Sequence, residues 1–391
     1  MTKVFVTGIG IISSIGNNTK ETLDSIFLSK SGLSKISILE TSHSDFFAGE
    51  IKLTNQQLEK KLYNSIKNYS RTALLGIIAA KQAFENAEIK NVNSIKTGLI
   101  SATTVGGMDK TETFNKTFQT LKFYDFISSH HCGNSTEKIA DFLNINSFTA
   151  TLSTACSSSA NSIIYGIRLL KAGILDRVIV GGTDALSKFT LNGFNTLMIL
   201  DKEQTKPFDE NRQGLNLGEG AAYLVIETEK TAKKPIAEIS GYANFNDAHH
   251  QTASSPDGKG AFFAMKNALK SANLKPDDID YINAHGTGTP NNDLTESTAI
   301  KQLFDKKMPP FSSTKPFTGH TLGAAGAIEA VLSVLSLNYG FIYPNLNFKK
   351  PILQTGLIPE TKLQVGKNIK NILSSSFGFG GNSSSLIFTK V

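Results

Sequence analysis

The chain has 391 residues, 40% of them hydrophobic, and a formal net charge of +7, enough for a large core and two or three domains. Its two cysteines, Cys132 and Cys156, exclude a disulfide framework and fit a reducing compartment. No apolar run approaches the roughly 20 residues of a membrane span, and no basic tail, zinc-finger spacing or aromatic RNA-binding signature accompanies the charge; membrane and nucleic-acid roles are set aside and a cytoplasmic location is expected.

KVFVTGIG reads as a strand ending in a turn. MTKVFVTGIGIISSIG is broken by Gly, Thr and Ser and has no clear cleavage site, so it is not read as a signal peptide. The same stretch resembles the start of a GxGxxG dinucleotide fingerprint, but Ser13 replaces the third Gly and no helical pattern follows at once, so that reading is dropped. LEKKLYNSIKNYSR at 58–71 is a mild basic cluster, either a solvated surface or a docking face for an acidic partner. SRTALLGIIAAKQAFENA has helical apolar spacing, and TGLISATTVGG reads as strand then loop. His130, His131 and Cys132 are consecutive, which is poor geometry for one metal, and no metal site is predicted there. NSFTATLST leads as a strand into the helix SSSANSIIYGIRLLKAG, whose Lys171 and Gly173 give a stop signal. DRVIVGGTDA and AAYLVIETE are strands. In the second half AEISGYAN, DIDYINAHG and SSSLIFTKV read as strands, and GAFFAMKNALKSANL and LGAAGAIEAVLSVLSLNYG as helices. Such alternation predicts an α/β protein with helices covering mixed or parallel sheets. Residues 79–90 align without gaps on 264–275, with Ala79, Lys81, Ala83, Ala87 and Lys90 matching Ala264, Lys266, Ala268, Ala272 and Lys275. This suggests two similar halves with a boundary near 229–235, giving units 1–233 and 234–391.

Cys156 lies where TLSTACSSSANS passes from strand to helix. A helix N-terminus favours an anion, so a depressed thiol pKa and a nucleophilic role are expected; the plain alternative is a small buried side chain. His285, in YINAHGTGTP, and His320, in SSTKPFTGHTLGAAGAIEA, both border Gly/Thr-rich turns that face a side chain into a cleft. A cysteine carrying an acyl group beside two imidazoles that polarise a carbonyl makes an acyl-transfer site. Lys315 adds positive charge nearby, and the loop SSSFGFGGNSSS at 374–385 offers backbone N–H groups for an oxyanion hole. No GxxxxGK[ST] loop or GxSxG elbow is present.

TACSSSANS, NAHGTGTPNND, SSTKPFTGHTLGAAGAIE and SFGFGGNSSSLIF, in that order, resemble the signature blocks of the β-ketoacyl-[acyl-carrier-protein] synthases of synthase I/II type, and KPFDENRQGLNLGEGAAYLVIE and NDAHHQTASSPDGKGA add to the likeness. The resemblance runs over essentially the whole chain. It implies a thiolase-like fold with two similar halves in a five-layered α-β-α-β-α arrangement, normally a homodimer. It implies that Cys156 takes the acyl chain as a thioester, that its own N–H and that of Phe379 hold the thioester oxygen, and that His285 and His320 bind the malonyl carbonyl and stabilise the enolate left by loss of CO₂. Lys315 and Glu329 match positions that hold and tune the second histidine, Thr287 and Thr289 those that bind the phosphopantetheine arm, Phe379 the gating aromatic, and Val105 and Met108 the acyl tunnel. No metal or organic cofactor is implied. The partner would be an acidic acyl carrier protein, with Lys67 and Lys202 as contacts.

The sequence departs from the family pattern in the short segment TETFNKTFQTLKFYDFISSHHCGNSTEKIADFLNI, at Gln213 and Asn216, and in a thinner basic content before Arg71. These departures leave room for a polyene or polyketide role beside fatty acid elongation. A non-catalytic chain-length-factor-like partner in a heterodimer is the alternative, against which the intact Cys156, His285 and His320 argue. A thiolase would be expected to carry a second catalytic Cys late in the chain, and nothing after 156 is Cys.

Overall fold

The computed structural model describes residues 2–62, 68–117 and 124–391. In chain order its first half holds β1 (Val4–Ser13), α1 (Thr19–Phe27), β2 (Ser34–Lys35), β3 (Phe47–Ala48), α2 (Asn55–Lys61), α3 (Arg71–Asn86), β4 (Thr97–Ala102), α4 (Met108–Thr117), α5 (Gly133–Leu143), β5 (Phe148–Leu152), α6 (Ser158–Lys171), β6 (Arg177–Asp184), α7 (Lys188–Thr196) and β7 (Gly220–Thr228). The second holds β8 (Ala237–Asn246), α8 (Lys259–Ala272), β9 (Tyr281–Ala284), α9 (Pro290–Leu303), β10 (Phe311–Ser313), α10 (Lys315–Thr318), α11 (Ala325–Tyr339), β11 (Asn371–Gly378) and β12 (Asn382–Thr389).

Strand order shows that the faint repeat is architectural. The main sheet runs β10-β9-β11-β12-β8-β1-β7-β6-β4-β5. Its two ends have one wiring: β4 is parallel to β5 and β6, as β9 is parallel to β10 and β11. The β6–β7 and β7–β1 pairs are antiparallel, as are β11–β12 and β12–β8. Within the sheet, among the described residues, the two five-stranded units join where Phe5 and Val6 of β1 pair with Glu238 and Ala237 of β8. The helices that carry the sequence match, α3 and α8, occupy the same place, each packed on the first and last strands of its own unit.

The pattern of burial follows from these layers. α3 and α5 cover one outer face, α8 and α9 the other, and α6 packs on α11 between the sheets. The expected five-layered α-β-α-β-α arrangement is therefore present. Most of α11 is apolar because most of it is covered: Ala327, Val331, Val334 and Leu337 have no exposed surface. The stretch Leu322–Tyr339 is long and apolar enough to cross a membrane, yet 89% of it is buried inside the protein. The glycines of VTGIG serve packing. A Cβ on Gly10 would sit 2.1 Å from the Ala79 carbonyl oxygen of α3, and one on Gly241 of β8 would sit 2.5 Å from that of Ala268 in α8. Glycine lets each first strand approach its helix backbone, and the device recurs in both units.

Candidate active site

Three connections converge on one cleft of about 340 Å³, lined by Cys156, His285 and His320 among others. The first is the turn between β5 and α6. Ala155 takes the left-handed conformation (φ 53°), which sets Cys156 just before the Ser157 cap of α6. Behind the turn lies a neutral network: Ser157 Oγ donates to Asn382 Oδ1 at 2.7 Å, and Asn161 Nδ2 donates to Asn382 Oδ1 at 2.9 Å and Thr154 Oγ1 at 2.8 Å. Gly378 must be glycine, because a Cβ there would lie 2.9 Å from the Thr154 carbonyl oxygen and 3.1 Å from the Cys156 nitrogen. That close approach brings the Phe379 N–H onto the Cys156 sulfur.

The second connection leaves β9. The carboxylate of Glu296 accepts the N–H groups of His285 and Gly286, each at 2.8 Å, and Asp293 Oδ1 accepts that of Thr287 at 3.0 Å. Both acids come from α9, three positions apart and hence on one face. Burial pushes Glu296 up to about 8 and also raises Asp293. The third connection follows α10. Gly319 (φ 72°) turns the chain, and His320 is clamped on both sides of its backbone, its N–H to the Asn216 carbonyl at 2.7 Å and its carbonyl to the Gly218 N–H at 2.9 Å.

The proton positions on the two imidazoles follow from their partners. Leu322 N–H donates to His320 Nδ1 at 3.2 Å, and Lys315 Nζ donates to His285 Nδ1 at 3.2 Å. Each Nδ1 is thus an acceptor, and each ring carries its proton on Nε2. Burial, reinforced by the Lys315 charge, holds both histidines well below their ordinary value and therefore neutral. His320 Nε2 lies 3.1 Å from Cys156 Sγ, and the two rings meet edge to face at 5.3 Å. The cleft thus presents two neutral N–H donors beside a sulfur.

Two expectations are corrected here. The thiol pKa does not fall; burial pushes Cys156 up to about 11, outweighing the Lys315 charge and the Phe379 N–H. Lys315 does not hold the second histidine. It donates to the ring and carbonyl of His285 and pairs with Glu329 at 2.6 Å, reaching His320 only through its charge. Glu329 also accepts from Ser376 Oγ at 3.3 Å.

The remaining predicted residues divide. Thr287 and Thr289 line the cleft with their hydroxyls 2.8 Å apart. Phe379 lines it too and stacks on Phe194 at 6.1 Å. Val105 and Met108 do not line it; they belong to the apolar cluster behind it, packed with the cleft residues Phe194 and Leu215. Lys202 is exposed, and Lys67 lies outside the described residues. Gln213, noted as a departure, lines the cleft, and Asn216 orders the loop beside it by accepting the Thr205 N–H at 2.7 Å. Sequence reasoning missed Asp293 and Glu296, whose signal was the D-x-x-E spacing after TGTP. It also missed Asp184, whose buried carboxylate takes the N–H groups of Thr104 and Gly323 and so ties the loop after β4 to the start of α11.

Known proteins give the same reading. The family descriptions "Beta-ketoacyl synthase, N-terminal domain" and "Beta-ketoacyl synthase, C-terminal domain" match residues 1–232 and 236–349. The 3-oxoacyl-[acyl-carrier-protein] synthase 2 of Staphylococcus aureus (strain COL) is 34% identical over 417 aligned positions, covering 99% of this chain and 98% of that protein. Among solved structures, the ishigamide ketosynthase/chain length factor superposes with a TM-score of 0.91 at 27% identity, covering 100% of this chain and 99% of the other. A ketosynthase solved with its type II polyketide acyl carrier protein and a hexaketide gives 0.88 at 25% identity, with 100% of both chains covered. Full-length agreement in sequence and in fold places this chain in the β-ketoacyl synthase family of acyltransferase condensing enzymes.

Proposed function

We propose that the chain performs the decarboxylative Claisen condensation of an acyl-Cys156 thioester with a malonyl thioester on acyl carrier protein. The observation that carries this reading is the pair of neutral Nε2–H donors beside the Cys156 sulfur. In the first half-reaction Cys156 Sγ attacks the carrier thioester, its proton leaves with the carrier thiol, and the carbonyl oxygen is held by the N–H groups of Cys156 and Phe379. In the second, malonyl thioester loses CO₂ and the electron pair of the broken bond becomes an enolate. His285 and His320 donate to the enolate oxygen; dry N–H donors of this kind are worth about 3–4 kcal/mol each. The enolate carbon attacks the acyl-Cys156 carbonyl, the C–S bond breaks, and the released thiolate takes a proton, as a thiol held near 11 must.

The supporting roles belong to the same reading. Thr287 and Thr289 bind the pantetheine arm, Phe379 gates the cleft, Val105 and Met108 limit the acyl chain from behind it, and Lys202 and Lys67 contact the carrier. Units 1–233 and 234–391 form the two halves, the first bringing the nucleophile and the second the histidines, which the matched strand orders favour. The chain assembles as a homodimer or pairs with a chain-length-factor-like subunit. The relative solved with its type II polyketide carrier protein and a hexaketide supports extending the substrate range from fatty acids to polyketides or polyenes. A purely non-catalytic role is disfavoured by the intact sulfur–imidazole geometry. The test is an intact-mass assay with a panel of acyl carrier thioesters and malonyl carrier protein. Acyl-Cys156 followed by a β-ketoacyl carrier product is expected; absence of acylation across the panel, with a folded protein, sinks the reading.

A further inference from the structure

The sulfur of Cys156 and ring nitrogens of His285 and His320 lie within 4.8 Å of one another, a donor set that a soft divalent cation takes once the widest pair closes to about 4 Å or less. An imidazole ligates through a nitrogen that carries no proton, so its other nitrogen carries one and gives it to an acceptor. Here the outer nitrogens face donors: the backbone N–H of Leu322 at His320 and Lys315 Nζ at His285, each 3.2 Å away. If either Nε2 took a cation, an Nδ1–H would point at another N–H, and a buried hydrogen bond would be replaced by two opposed donors. The lysine charge adds direct repulsion of a cation.

We propose that Lys315 and the Leu322 N–H lock this trio against soft divalent cations, Lys315 being the lock that mutation can remove. The hydrogen bonds that aim both Nε2–H groups into the cleft also keep those nitrogens from ligating. Replacing Lys315 frees His285 Nδ1 and leaves Glu329, which paired with Lys315 at 2.6 Å, on the same side as an acceptor. His285 Nδ1 is then free to carry the proton that an Nε2-bound cation requires. The inference does not depend on which acyl group the cleft takes.

Cobalt(II) titration of the reduced protein, followed by its thiolate-to-metal charge-transfer absorption, tests the proposal without reference to activity. Lys315→Met should bind Co²⁺ about 10- to 100-fold more tightly than the unmodified protein, the range that outer partners of ligating histidines carry. Adding Cys156→Ala to that variant should abolish the band. Because Lys315→Met leaves a buried carboxyl unpaired, Lys315→Met/Glu329→Gln, which removes both charges of the pair, serves as a second variant. A folded variant binding no more tightly than the unmodified protein overturns the proposal. So does a charge-transfer band that saturates at about micromolar Co²⁺ in the unmodified protein, whatever the variants do.

Discussion

The cysteine and histidine sides of the cleft are held by different forces. Around Cys156 the supports are neutral: hydroxyls and amides of Thr154, Ser157, Asn161 and Asn382, and the missing side chain of Gly378. Around His285 they are ionisable: Lys315 paired with Glu329, and Glu296 and Asp293 gripping the backbone. In the proposed reaction the sulfur side needs a shape that proton uptake does not alter, because its own proton comes and goes. The imidazole side needs fixed proton positions, and the charged Lys315 donor at His285 Nδ1 enforces one more strongly than a neutral group does.

The largest effects separate the two sides chemically. Cys156→Ala should abolish acyl loading and condensation, a loss of at least about a thousandfold read by intact mass. His320→Ala should keep acyl loading but lose decarboxylation by about 10²–10³, because His320 donates to the sulfur and takes no proton from it. Loss of loading with decarboxylation intact would reverse the roles assigned to the two sides. Gly378→Ala comes next: a Cβ 2.9 Å from the Thr154 oxygen must shift the turn, and acyl loading should fall about tenfold.

The smallest effects separate the sides by pH. The Glu296 carboxyl, raised to about 8 in the fold, contributes stability fully present below its unfolded value and lost as pH rises through about 8. Subtracting the melting temperature of Glu296→Gln from that of the unmodified protein should therefore give a difference that shrinks between about pH 5 and 8 and levels above. Asn382→Ala on the neutral side should cost about 1 kcal/mol at every pH. If its cost tracks pH, or that of Glu296→Gln does not, the contrast between the sides fails.

The three residues that meet in the cleft were legible because their surroundings are written locally. Small residues around Cys156 and Gly/Thr turns around His285 and His320 mark side chains facing a cleft. The alternation of strands and helices marked the α/β class, the family resemblance supplied the five layers, and the Ala/Lys match of α3 with α8 marked equivalent positions. What failed was everything set by distant chain. The thiol pKa was read from the start of α6, whereas burial by other segments decides it. Lys315 was matched to the histidine nearer in sequence, yet the fold carries it to His285, 30 positions away.

The repeated wiring has a consequence for descent. Cys156 follows β5 and precedes α6; His320 follows β10 and precedes α11, the corresponding link of the other unit. If the units arose by duplication, matching links have diverged, one to carry a thiol and the other an imidazole, 3.1 Å apart in the fold. Neither unit alone holds the trio, since Cys156 comes from the first and both imidazoles come from the second, so the cleft exists only where the two units meet.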